Sequence, residues 1–215
     1  MLFNTVLLLG TQSRGAYLGV LVAILVMVAI RYRWGKWLLI LALIAGTLAA
    51  YLIGLGDLLG GGSPTLQELG LQGRLEIWSR ALYGISDFPI TGMSMNGFRV
   101  LVQVLYPLFT IAPNLDIGHA HNHLLQAALD LGILGLIAYL SIWLLSALLL
   151  WRSWKDVKDG AERVVIIGLS GSFMAGWIFG ILDAIALGAK PGFVWWLLLA
   201  LLVSIFLKGK KSLME

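Results

Sequence analysis

Five long apolar runs dominate the chain and constrain its fold more than any other feature. Residues 15–30 form the first, closed by Arg31, Arg33 and Lys36. Residues 37–55, 123–151, 164–182 and 191–207 follow, the last ending at Lys208, Lys210 and Lys211. A helix needs about 20 predominantly apolar residues to cross a bilayer, and each run approaches or exceeds that length. Backbone groups in lipid must bond within their own segment, so such runs fold as helices. Composition agrees. The chain is 60% hydrophobic and 12% charged, with a mean hydropathy of +0.92, where a soluble domain is about half apolar and about a quarter charged. Too few charges remain to build a water-facing surface. The expected fold class is all-α: a polytopic membrane helix bundle with a large helical extracytoplasmic loop.

The organisation expected is residues 1–55 as membrane helices with the first one partial, 56–122 as the loop, and 123–215 as three membrane helices. Residues 1–9 are apolar but lack the basic start and small-residue cleavage site of a signal peptide. They read as the second half of a helix, and so predict that the chain is a fragment or short form of a longer protein. Ten of the fifteen basic residues (Arg31, Arg33, Lys36, Arg152, Lys155, Lys158, Arg163, Lys208, Lys210 and Lys211) fall on one side, in short connections. That side is expected to be cytoplasmic, and the long loop to face outward. The net charge of +4 therefore reflects membrane topology, and no nucleic acid partner is expected. Without cysteine there is no disulfide framework and no thiolate metal site.

The loop is too long for a simple connector. A flexible break is expected at residues 60–64, and Thr65 and Glu68 have capping-box spacing for a short helix. Leu75, Trp78, Leu82 and Ile85 recur at helical spacing, which predicts an amphipathic helix over residues 73–87 lying at the membrane face. Pro89, Gly92 and Gly97 mark turns, and residues 100–109 predict another interfacial or re-entrant helix.

The polar residues on the outward side are candidates for chemistry. Arg14, beside Ser13 and Gly15, is either a snorkelling end-of-span arginine or a fixed guanidinium for an anionic headgroup. Arg80 has Glu76 one turn away and is expected to pair with it. Arg74 has no such acidic partner and lies one turn before Trp78; a planar guanidinium suits phosphate oxygens. His119, His121 and His123 are the only histidines. Metal binding, capping of the following helix by His121 or Asn122, and general-base catalysis all compete for them. Metal is the weakest reading because no carboxylate is adjacent in sequence, Asp116 and Asp130 being the nearest. Asp183 and Lys190 flank the last outward turn as a possible ion pair and receive no role.

Taken in order, Thr11-Gln-Ser-Arg14-Gly, Gly73-Arg74-Leu-Glu-Ile-Trp78, Phe88-Pro-Ile-Thr-Gly92-Met-Ser-Met-Asn96-Gly-Phe98, His119-Ala-His121-Asn122-His123-Leu-Leu-Gln126 and Asp130-Leu-Gly132-Ile-Leu-Gly135-Leu resemble the O-antigen ligase and polymerase family of bacterial envelope glycan enzymes. The resemblance covers residues 5 to 150. It implies an inner-membrane glycosyltransferase that moves a glycan from undecaprenyl diphosphate to a sugar hydroxyl on an acceptor glycan or glycolipid, outside the cytoplasm and without a metal or other cofactor. It further implies that Arg14 and Arg74 hold the diphosphate, that His121 is the base with His119 as fallback, and that Trp78, Arg80 and Asn122 support them. Family members carry further spans before the Ser-Arg-Gly element. A polymerase, an inactive truncated relative and a transporter fragment are the alternatives. Against a transporter, the spans hold almost no ionisable residues apart from Asp130 and Asp183 near their ends.

Overall fold

The computed structural model describes residues 2–53, 70–113, 115–157, 160–184 and 192–212. Among these residues there are eight helices and no strand: α1 (Leu2–Gly10), α2 (Arg14–Arg31), α3 (Gly35–Ile53), α4 (Leu71–Asp87), α5 (Gly97–Leu105), α6 (His123–Asp156), α7 (Ala161–Leu182) and α8 (Gly192–Ser212). Helices α2, α3, α6, α7 and α8 are long and apolar enough to cross a membrane, and they coincide with the five apolar runs. The chain is an all-helical, multi-pass membrane protein. The break at residues 60–64, the Thr65–Glu68 capping box and Lys190 lie outside the described residues.

Local chemistry sets the boundaries. Ser13 caps α2, its Oγ accepting the Ala16 N–H at 3.3 Å. The turn from α2 into α3 is so tight that a Cβ on Gly35 would sit 2.4 Å from the Val28 carbonyl oxygen. The third run is a single helix in the sequence reading, but the chain breaks at Gly132, which has φ 72 and ψ −175. Residues 123–131 thus form a separate lead-in helix, and residues 133–156 are still long enough to cross. Gly97, expected as a turn, instead begins α5 after Asn96 in the left-handed region (φ 66). Tyr106 is no longer helical, so this helix stops before residue 109.

The described chain divides into two compact units. One comprises residues 1–39, 138–179 and 188–215. Here α2 and α7 approach closely: a Cβ on Gly19 would lie 2.9 Å from the Ala175 carbonyl oxygen, as expected where small residues let membrane helices pack. Trp143 of α6 meets Phe173 and Trp177 of α7 edge-on (ring centroids 5.9 and 5.1 Å) and Trp195 of α8 at 5.6 Å. At the end of α6, Arg163 stacks 3.4 Å over the Trp154 ring and donates to the carbonyls of Trp154 and Val157.

The other unit comprises residues 40–137 and 180–187. It has its own core, in which Ile77, Ala81, Met93, Phe98, Val102, Ile111, Ala120 and Leu129 are buried. The face of α4 turned to this core is not the apolar stripe read for the membrane face. Gly73, Ile77, Ala81 and Gly84 face the core, while Leu75 and Leu82 are exposed. Small residues win because the neighbours come so close: a Cβ on Gly84 would meet Met93 Sδ at 2.8 Å and Leu129 Cδ2 at 3.0 Å. Glu76 ties down the segment after α5 by accepting the N–H groups of Phe109 (2.6 Å) and Thr110 (2.9 Å). Burial raises the Glu76 carboxyl, but these two N–H bonds and nearby Arg80 outweigh it and leave it below its usual range.

The turn at Pro89–Gly92 docks into the break at Gly132. The Ile133 N–H donates to the Pro89 carbonyl at 2.7 Å, and the Met93 N–H to the Leu129 carbonyl at 2.5 Å. Both glycines have positive φ and no room for a side chain. A Cβ on Gly132 would lie 2.3 Å from the Ile90 oxygen, and one on Gly92 2.6 Å from the Gly132 nitrogen. Two motifs distant in sequence, Phe88-to-Met93 and Asp130-to-Gly132, are thus one packing unit.

Candidate functional site

The segment ahead of α6 carries the histidines. Asn122 caps the helix: its Oδ1 accepts the Leu124 and Leu125 N–H groups at 2.9 and 3.1 Å, and its Nδ2 donates to the Ile181 carbonyl at 3.2 Å. The capping reading therefore holds for Asn122, where such a cap contributes about 1 kcal/mol. His121, just before it, adopts the left-handed conformation (φ 47), uncommon for a residue with a side chain.

Alternation along this non-helical segment brings His119 and His121 together, with ring centroids 4.3 Å apart. His123 is separate, on the first turn of α6. Its ring packs where a Cβ on Gly180 would be 2.7 Å away.

Asp183 completes the cluster, although sequence reasoning gave it no role. Its Oδ1 lies 3.1 Å from His121 Nδ1 and 3.6 Å from His119 Nε2. Asp116 and Asp130, the carboxylates nearest to the histidines in sequence, are not the ones that meet them. Asp116 pairs with Arg99 and Asp130 with Gln126, while Asp183, 62 residues beyond His121, makes the contact. The one signal for it in the sequence was an acidic residue at the outer end of an otherwise apolar run.

The hydrogen bonds assign the tautomers. His121 Nδ1 faces a carboxylate and so carries the proton, which leaves a lone pair on Nε2. The His121 backbone N–H donates to His119 Nδ1 at 3.3 Å, which places the His119 proton on Nε2. Burial, reinforced by the neighbouring His121, lowers the His119 pKa against the pull of Asp183. Burial raises the Asp183 carboxyl, but the bonds from His121 and the Ala184 N–H, with the attraction of either histidine once protonated, bring it below its usual value. Asp183 is therefore a carboxylate that holds an imidazole. The ligand atoms of His119, His121 and Asp183 lie within 4.8 Å of one another, close enough for a metal ion. In the hydrogen-bonded arrangement both nitrogens facing Asp183 carry protons, which a bound metal ion would displace.

Arg74, Trp78 and Arg80 belong to the same unit as the histidines. Among the described residues, the buried Arg74 Nε and the buried Trp78 indole N–H have no hydrogen-bond partner. They lie one turn apart near the start of α4, whose first turn has no acidic residue. Two buried donors near a helix N-terminus suit an anion. Arg80 is engaged in structure. It meets Glu76 at 3.5 Å, donates Nε to the Pro107 carbonyl at 2.9 Å, and lies 5.4 Å over the Phe109 ring. Arg14 belongs to the other unit, exposed at the first position of α2.

Comparison with known proteins extends this picture. A family model described as O-antigen ligase matches residues 1–140 of the 215. No curated protein matches the chain.

Proposed function

The chain belongs to the O-antigen ligase family, and from that premise we propose that it transfers a glycan from an undecaprenyl-diphosphate donor to a sugar hydroxyl, with His121 as the base. The family supports a ligase-like role in glycan transfer at the membrane; the donor, the acceptor and the residue roles are our reading. The observation that carries it is the 3.1 Å contact between His121 Nδ1 and Asp183. It fixes the ring and directs the basic lone pair to Nε2.

In this scheme the acceptor hydroxyl gives its proton to His121 Nε2 as its oxygen attacks the anomeric carbon. The bond from that carbon to the diphosphate oxygen breaks, and the lipid diphosphate leaves with the electron pair. The protonated imidazole is stabilised by Asp183 and later returns its proton to the leaving group or to water. Arg74 meets the diphosphate through its buried, unpartnered Nε, with Trp78 as a neighbouring donor. Such preorganised donors act where charge develops. Arg14 is proposed for a diphosphate role on the resemblance alone. Arg80 and Asn122 support the site by holding the 107–110 segment and the start of α6. The loop side is proposed to face outward from the bacterial plasma membrane, because ten basic residues gather on the opposite connections. No step in the scheme requires a metal.

The test is glycan transfer in membranes supplied with the lipid-linked donor. His121→Ala, Arg74→Ala and Arg14→Ala should each abolish transfer at normal protein levels, a positioned base alone being worth about 10²–10⁴-fold. Wild-type transfer by His121→Ala would eliminate the proposed base.

A further inference from the structure

We propose that Gln126 and Asp130 are positioning residues for His121, acting as a buried relay that fixes the peptide between the two paired histidines. Its functional meaning rests on the reading of His121 as base, but its test does not.

Ala120, between His119 and His121, is fully buried, and its N–H must find a partner inside the protein. It donates to Gln126 Oε1 at 2.8 Å. The other end of that carboxamide, Nε2, donates to Asp130 Oδ1 at 2.8 Å. Gln126 and Asp130 are themselves 5% and 3% exposed, so water does not substitute for either bond. A carboxamide has nearly the same shape in its two flipped orientations. The Asp130 oxygen selects the one that turns the amide oxygen toward Ala120. In the other orientation an NH2 group would face the Ala120 N–H, donor against donor.

The relay anchors one side of the histidine segment, and the Asn122 cap with its bond to Ile181 anchors the other. Between these anchors His121 keeps its left-handed backbone and its ring stays on Asp183. A purely local alternative exists, because Gln126 and Asp130 are one turn apart on α6 and such pairs support helices by themselves. That role would not reach the imidazole.

The deciding measurement is the tautomer of His121, read from imidazole nitrogen shifts in the full chain labelled at histidine and held in detergent with a histidine-free tag. The three resonances are assigned by replacing each histidine with Gln. Wild type should show His121 as one tautomer protonated at Nδ1. Gln126→Leu and Asp130→Leu should lose that signature and show averaged tautomers. Asp130→Asn should keep it, since an amide oxygen still accepts from Gln126. Gln126→Glu alone sets two carboxyls face to face and should lose it at a pH high enough that they hold no shared proton. Adding Asp130→Asn should restore it, because the new amide donates to the new carboxylate, whose second oxygen accepts from Ala120. This pair decides the matter if the leucine variants do not fold. A wild-type tautomer in folded Asp130→Leu, or failure of the double variant to recover, overturns the relay. Transfer that survives in His121→Ala would remove the base and leave the relay intact, so the two readings fail separately.

Discussion

Replacing Gly132 by alanine tests the most constrained point in the fold. At φ 72 and ψ −175 the backbone occupies a region open almost only to glycine, and holding another residue there costs about 1–3 kcal/mol. The added Cβ would also lie 2.3 Å from the Ile90 oxygen and 2.7 Å from its carbonyl carbon. The backbone must give way, because no flexible side chain end is involved. The Pro89–Gly92 turn then moves off, which endangers the Ile133-to-Pro89 and Met93-to-Leu129 hydrogen bonds. Each is worth about 0.5–1.5 kcal/mol. The sum is about 2–6 kcal/mol, and for a chain of this size about 2–4 °C of melting temperature accompanies each kcal/mol. Thermal unfolding in detergent, followed by loss of the monodisperse chromatographic peak, should fall by at least about 4 °C. Gly46→Ala is the matched control. It lies inside α3 with nothing within 4 Å of the new methyl, and helix propensity makes it neutral or stabilising by up to about 1 kcal/mol. Equal melting of the two variants would refute the argument that the break is sterically enforced.

Further outcomes follow from the site. Asp183→Asn should lower glycan transfer by less than His121→Ala does, because an amide oxygen still accepts from Nδ1 but the charge assistance is gone; wild-type rates would show that the carboxylate is idle. Glu76→Gln should destabilise by about 1–3 kcal/mol, since one amide oxygen cannot satisfy both the Phe109 and Thr110 N–H groups as two carboxylate oxygens do; thermal unfolding against Glu76→Asp reads this. The pH dependence has a definite sign. His119 binds its proton less tightly folded than unfolded, so its contribution is present above the unfolded value near 6.5 and is lost as pH falls below it. Asp183, depressed when folded, adds a second loss as pH falls below its ordinary value. Between about pH 7 and pH 5 the melting of wild type should therefore fall more steeply than that of His119→Gln; parallel slopes would contradict the assignment.

Much of this was legible in the residue order. Five spans, their approximate ends and the helical loop follow from apolar run length and helical period, which depend only on lipid solvation and backbone hydrogen bonding. The cap at Asn122 and the Glu76–Arg80 pair are local in sequence and were readable for the same reason. What lay hidden depends on close approach between distant segments. The apolar stripe Leu75, Trp78, Leu82 and Ile85 has the better hydrophobic pattern, yet α4 buries Gly73, Ile77, Ala81 and Gly84, because contact distance rewards the absence of a side chain. Gly132 read as one more residue of a long run until the Pro89–Gly92 turn occupied the space beside it.

The site divides in the same way. The sequence by itself determined that three histidines are clustered and that Arg74 lacks a local acidic partner. It could not determine that His121 and His119 share Asp183 across 62 residues, nor that Gln126 turns its amide to hold Ala120. Those are tertiary facts, since a side chain's partner is set by where the helices bring the chain back, and no periodicity along the chain encodes that return.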